Sequence, residues 1–110
     1  MACPVPRSLR PLLTATILAL AAAPALAQNA QALNTRALAA TCANCHGTQG
    51  VAVSNASVPG LAGMPASTLV EQMKAFKGGT RPATIMHQLA KGFSDAQIDA
   101  LAAYFAAQKK

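Results

Sequence analysis

The pentapeptide Cys42-Ala43-Asn44-Cys45-His46 constrains this chain of 110 residues more than any other stretch. Two thiols three positions apart on a helical turn share one face, and an imidazole follows directly. This C-x-x-C-H spacing is that of c-type haem attachment. The two cysteines take up the two vinyl groups of one porphyrin, and the histidine lies beneath it as the proximal iron ligand. Two other readings compete for the same residues. A redox dithiol ordinarily opens a helix in a βαβ setting, whereas here residues 33–40 already carry a helical pattern and no strand-rich run follows. A zinc site needs a fourth ligand, and beyond Cys42, Cys45 and His46 only His87 is on offer, far outside finger spacing.

The N-terminal region sets the compartment. Arg7 and Arg10 form a basic start, an apolar run of about a dozen residues follows, and Ala25-Leu26-Ala27 has the form of a cleavage site, so residues 1–27 read as a secretory signal peptide. The apolar run falls short of the roughly 18 residues of a membrane span. The expected product is a soluble periplasmic domain over residues 28–110, with no membrane span and with Cys3 removed. About 80 residues make a marginal core without a staple, and a covalent haem would be that staple. With the leader gone the net charge falls from +6 to +4. No dense basic stripe is interleaved with aromatics, so nucleic acid is not an expected partner.

The remaining pattern is helical throughout. A first helix is expected over residues 33–45, with Asn34 or Thr35 as its cap. Residues 47–63 sustain no period, and a loop that long in a small domain packs on something. Within it Pro59 lacks an N–H but keeps a carbonyl, which either receives Nδ1–H of His46 and orients that ligand or belongs to a plain Pro-Gly turn. A second helix is expected from Pro65, or from Thr68 with a Thr68–Glu71 capping box, to Lys77. It carries Leu69, Val70, Met73 and Phe76 as its apolar stripe and stops at Gly78. A short helical piece over 84–91 follows. A last helix begins at Ser94, boxed by Gln97, and its Ile98, Leu101, Ala102 and Phe105 should pack on the first helix. The fold class is therefore all-α: three to four helices around one haem.

Candidates for the sixth iron position are Met64, Met73, Met86 and His87. Met73 lies in an apolar stripe and reads as core filler. Met64 follows too closely on the Pro59-Gly60 turn. Met86 stands after a Gly/Pro turn, with enough chain before it to cross the porphyrin edge, and is favoured. His87 is the alternative, since adjacent helical residues point about 100° apart and only one of the two can face iron. Lys74, Lys77, Arg81 and Lys91 either border the haem edge or form a solvated face, and Arg81 is the candidate contact for a haem propionate.

The segments Cys42-Ala43-Asn44-Cys45-His46-Gly47, Pro59-Gly60-Leu61-Ala62, Thr84-Ile85-Met86, Ala90-Lys91-Gly92-Phe93-Ser94-Asp95 and Ala102-Ala103-Tyr104-Phe105 together resemble the class I cytochromes c. Among these they resemble the cytochrome subunit of flavocytochrome c sulfide dehydrogenase, over residues 33–108. The resemblance implies the small class I cytochrome c fold, a covalent haem c on Cys42 and Cys45, and His46 as proximal ligand. It also implies Pro59 as the histidine's carbonyl partner and Met86 as distal ligand. The implied partner is an exported flavoprotein that oxidises sulfide and passes electrons on. The chain has a single C-x-x-C-H and no flavin-binding segment, so by itself it is expected to carry electrons without catalysis. A free-standing electron shuttle is the alternative, and a ligand-binding or peroxidatic haem protein with a labile sixth position is a third reading.

Overall fold

The computed structural model describes the backbone from Arg10 onward and the side chains from Ala27 onward. The expected leader over residues 1–27 therefore lies, but for its helical backbone from Arg10, outside the described residues. Four helices follow in order: α1 (Arg10–His46), α2 (Ala66–Lys77), α3 (Met86–Leu89) and α4 (Asp95–Ala106). Among the described residues all regular structure is helical, as expected of a small class I cytochrome c fold. The chain divides into two compact units, Met1–Leu33 and Asn34–Lys110. The second holds every residue singled out above except those of the leader. No helix is long and apolar enough to cross a membrane among the described residues.

Helix α1 starts well before residue 33, so neither Asn34 nor Thr35 caps it. The reason lies in composition: no Gly or Pro interrupts residues 25–46, and alanine, the strongest helix former, recurs throughout. Helix α2 begins one residue after Pro65, which is its N-cap rather than its first helical residue. The Leu69 amide already donates to the Pro65 carbonyl at 3.1 Å, so Thr68 sits inside the helix and the expected Thr68–Glu71 box does not form. The C-terminus falls at Lys77 as expected. There the Gly78 amide donates to the Lys74 carbonyl at 2.8 Å and the Gly79 amide to the Phe76 carbonyl at 3.1 Å. These bonds satisfy carbonyls that a helix end otherwise leaves without partners.

The piece expected over 84–91 is one α-helical turn, α3, tightening into a 3₁₀ turn over Ala90–Gly92. Helix α4 starts with the expected box. Gln97 N–H donates to Ser94 Oγ at 3.2 Å, and Ser94 N–H donates to Gln97 Oε1 at 2.8 Å. Asp95 adds a carboxylate to the first turn, where the helix dipole favours it.

Ala39 of α1, Leu69 of α2 and Leu101, Ala102 and Phe105 of α4 form the core. The stripe of α4, expected to pack on the first helix, packs chiefly on α2 and reaches Ala39 of α1 through Leu101, Ala102 and Phe105. Phe105, Ile98 and Leu101 are the large side chains shut off from solvent. The Tyr104 ring stands edge-on to that of Phe105, centroids 5.2 Å apart, a preferred aromatic geometry.

Candidate functional site

The last turn of α1 carries Cys42, Cys45 and His46. The two cysteines are not joined in a disulfide. Cys42 is half-buried and Cys45 exposed. Cys42 packs against the core cluster, and that burial pushes its thiol pKa up, partly offset by its contact with Thr41.

After His46 the loop is shaped by the Gly50 carbonyl, which accepts from Leu61 N–H at 2.8 Å and from Ala62 N–H at 3.0 Å. These two bonds draw the descending half of the loop against the ascending half. Gly63 N–H then donates to the Phe105 carbonyl at 2.9 Å, tying the loop to the end of α4. The clamp lies just beyond Pro59 and brings its carbonyl oxygen to 2.7 Å from His46 Nδ1. A carbonyl oxygen can only accept, so Nδ1 carries the hydrogen and the imidazole lone pair is on Nε2. Such a bond fixes the ring's tautomer and orientation and raises the basicity of the free nitrogen.

The candidates for the opposite iron position separate by packing. Met64 and Met73 lie against the core cluster, Met73 as expected. Met86, the first residue of α3, is half-buried and lies outside that cluster. His87 beside it is also half-buried, with an Nδ1 that is enclosed and without a hydrogen-bond partner. Flanking Met86, Ile85 and Leu89 are 55% and 46% exposed, a costly display for large apolar side chains unless something flat and apolar lies on them. Arg81 places its guanidinium over the Phe76 ring, 4.6 Å from the centroid.

Lys77 departs from the expected solvated or haem-edge cation. Its Nζ donates to the Phe93 carbonyl at 2.8 Å and to Asp95 Oδ1 at 2.9 Å. Sequence reasoning offered no specific partner for it. Its partners lie 16 and 18 residues on, a separation without local signature. Gly50, inside the loop expected over 47–63, likewise carries no local sign of its role.

Two cysteines on one helical turn, an imidazole whose Nδ1 is already bonded, and an uncommitted thioether beside exposed apolar side chains form a donor set that fits haem c. Among the described residues no three His, Cys, Asp or Glu side chains gather to hold a metal ion, so the geometry does not support the zinc reading.

Known proteins agree. The chain is 41% identical over 71 residues to the thiosulfate dehydrogenase electron acceptor of Thiomonas intermedia, covering 64% of this chain and 33% of that protein. It is 38% identical to cytochrome c-554(548) of Halomonas halodenitrificans, covering 63% of this chain and 86% of that protein. To the cytochrome subunit of sulfide dehydrogenase of Chlorobaculum tepidum it is 35% identical, covering 62% of this chain and 60% of that protein. The chain thus spans about a third of the thiosulfate dehydrogenase electron acceptors it matches. The model of the family described as cytochrome c oxidase, cbb3-type, subunit III matches residues 27–105, and the chain belongs to that family of c-type cytochromes, electron carriers that hold haem c covalently.

Proposed function

We propose that this chain is a His/Met-ligated carrier that accepts single electrons from an exported dehydrogenase of a reduced sulfur compound, with a flavoprotein sulfide dehydrogenase as the donor. The observation that supports the ligation most directly is the 2.7 Å bond between His46 Nδ1 and the Pro59 carbonyl. It commits one nitrogen to the protein and leaves the other for iron. In this reading Cys42 and Cys45 fix the porphyrin by thioethers, His46 supplies the proximal nitrogen and Met86 the distal sulfur. When bound, haem c supplies one-electron oxidation and reduction at iron. With His46 and Met86 both committed to iron, the site would offer no place for a substrate, and the protein's task would be to hold those two side chains still. Arg81, on the turn before Met86, is the propionate contact in this reading, its guanidinium leaving or sharing the Phe76 ring. The leader over residues 1–27 directs export, so the domain of residues 28–110 works in the periplasm.

The donor assignment rests on the block of residues 84–95 and on the relative named as a sulfide dehydrogenase cytochrome subunit. A second reading, acceptor for a thiosulfate dehydrogenase, is favoured by the relatives named so.

Two measurements test these statements. Met86→Leu should abolish the weak far-red ferric band of a thioether–iron bond, whereas Met73→Leu should keep it; the opposite result refutes the ligand assignment. For the donor, the oxidised haem protein is mixed with a flavoprotein sulfide dehydrogenase plus sulfide, or with a thiosulfate dehydrogenase plus thiosulfate, and its reduction followed by stopped flow. Reduction by the first pair well above the rate with sulfide alone supports the proposal. Reduction by the second pair alone transfers the role to thiosulfate oxidation. Failure of both leaves a free-standing shuttle.

A further inference from the structure

Residues 78–93 carry Met86 out from the end of α2 and back to the start of α4. The segment contains one α-helical turn and packs on α2 through α3 and the 3₁₀ turn that follows it, with Ala90 buried. Its exit is fixed by backbone bonds: Thr80 N–H and Arg81 N–H donate to the Ala75 carbonyl at 3.0 and 3.2 Å. Its return is fixed by a side chain. Lys77, the last residue of α2, donates from one ammonium to the partly buried Phe93 carbonyl at 2.8 Å and to Asp95 Oδ1 at 2.9 Å. Phe93 is the residue at which the segment re-enters, its ring packed against the core cluster. Asp95 opens α4 directly after the Ser94 cap.

We propose that Lys77 is a positioning residue for the distal iron ligand, closing residues 78–93 into a loop that keeps the Met86 sulfur on iron. The inference rests on the assignment of Met86 as distal ligand. Two features make the brace more than a surface ion pair. The lysine side chain is 32% exposed, against 67% for Asp95, so one side of the contact is shielded from solvent. One of its two acceptors is a main-chain carbonyl, so the bond fixes backbone as well as a mobile carboxylate. Bonds from a charged donor to a shielded carbonyl are among the stronger ones in proteins. Removing this one raises the population of loops in which the thioether has left iron.

An added ligand reads that population, because it binds only where the sixth position has opened, and its apparent affinity scales with the open fraction. The probe is imidazole, titrated into the ferric haem-loaded protein, with the far-red thioether band followed in the same samples. Lys77→Gln should bind imidazole about five- to twentyfold more tightly than the parent. Lys77→Arg, which keeps charge and donors, should stay within about threefold. Asp95→Asn, which removes the ion pair and leaves the carbonyl bond, should tighten binding only about two- to threefold and serves if Lys77→Gln fails to mature. Met86→Ala is the control. If it binds imidazole as the parent does, Met86 is not the ligand and the Lys77 role falls with that assignment. If Met86→Ala binds far more tightly while Lys77→Gln matches the parent within twofold, the ligand assignment stands and the brace alone is overturned.

Discussion

Gly50 is where the proximal loop, its own return and the last helix meet, and replacing it by alanine separates two costs. The first is conformational. Gly50 has φ +79°, and placing an L side chain in the left-handed region costs about 1–2 kcal/mol. The second is steric. A Cβ on Gly50 would stand 2.8 Å from Phe105 Cδ1, 2.9 Å from Ala62 N and 3.0 Å from Leu61 Cβ. Neither principal neighbour can yield easily: the Phe105 ring is buried to 1% exposure, and Ala62 N is held at 3.0 Å by Gly50's own carbonyl. Overpacking of this kind costs a further ~1–3 kcal/mol, so Gly50→Ala should lose about 2–5 kcal/mol in all. Gly79 supplies the control. Its φ is +76°, nearly the same, yet a Cβ there would meet nothing within 4 Å, so Gly79→Ala should show the conformational cost alone, about 1–2 kcal/mol. The assay is guanidinium unfolding of the haem-loaded proteins followed by far-UV circular dichroism. Equal losses for the two variants, within about 0.5 kcal/mol, would refute the claim that Gly50 is a packing joint as well as a turn.

The other expectations concern α4 and its neighbours. Asp95 has a lowered native pKa because Lys77 favours its ionised form, so its contribution is fully present above the unfolded value of 3.8 and disappears as pH falls through the lower native value. Stability curves of the parent and Asp95→Asn should therefore converge on acidification below about pH 4, and a gap that persists at low pH would contradict the ion pair. Ser94→Ala removes an acceptor for Gln97 N–H and should cost about 1 kcal/mol by the same unfolding assay, with Ser94→Gly losing less. Phe105→Ala empties the most enclosed aromatic position and should cost about 3–5 kcal/mol; a loss below about 1 kcal/mol would mean the core is not where the structure puts it.

How much of this could be read from residues alone depended on whether the deciding partner was near in sequence. The Ser94–Gln97 box and the α4 stripe were legible because each is a local pattern with one structural meaning. For Pro59 the residues alone left two readings, an acceptor for His46 or a plain Pro-Gly turn, because the bond between them joins residues without a local signature. The start of α1 was misjudged because polar Asn34 and Thr35 look like caps, yet an uninterrupted alanine-rich helix needs none there. The Thr68–Glu71 box is the same error in miniature: a valid motif overridden by a helix that begins at Ala66. Lys77 and Gly50 lay beyond any local pattern. Their partners are brought close only by the packing of α2 against the returning chain and of the loop against α4.

Burial is sparse in the polypeptide itself. Among the described residues eight hydrophobic residues are buried and four of them are alanines, which leaves Leu69, Ile98, Leu101 and Phe105 as the substantial ones. Meanwhile Val51, Val53, Ile85 and Leu89 are 45–75% exposed, and two of these flank the segment that carries Met86. A domain of this size gains little stability from so sparse a core. A flat covalently held ring lying on such exposed side chains would add apolar contact where the polypeptide supplies none. The core and the loops next to His46 and Met86 are thus secured by different means: side-chain packing among α1, α2 and α4 in one case, and the Gly50 and Phe93 carbonyl bonds in the other. Changes at Leu101 or Phe105 should accordingly lower stability with iron ligation intact, whereas changes at Lys77 should loosen ligation while the helices remain folded.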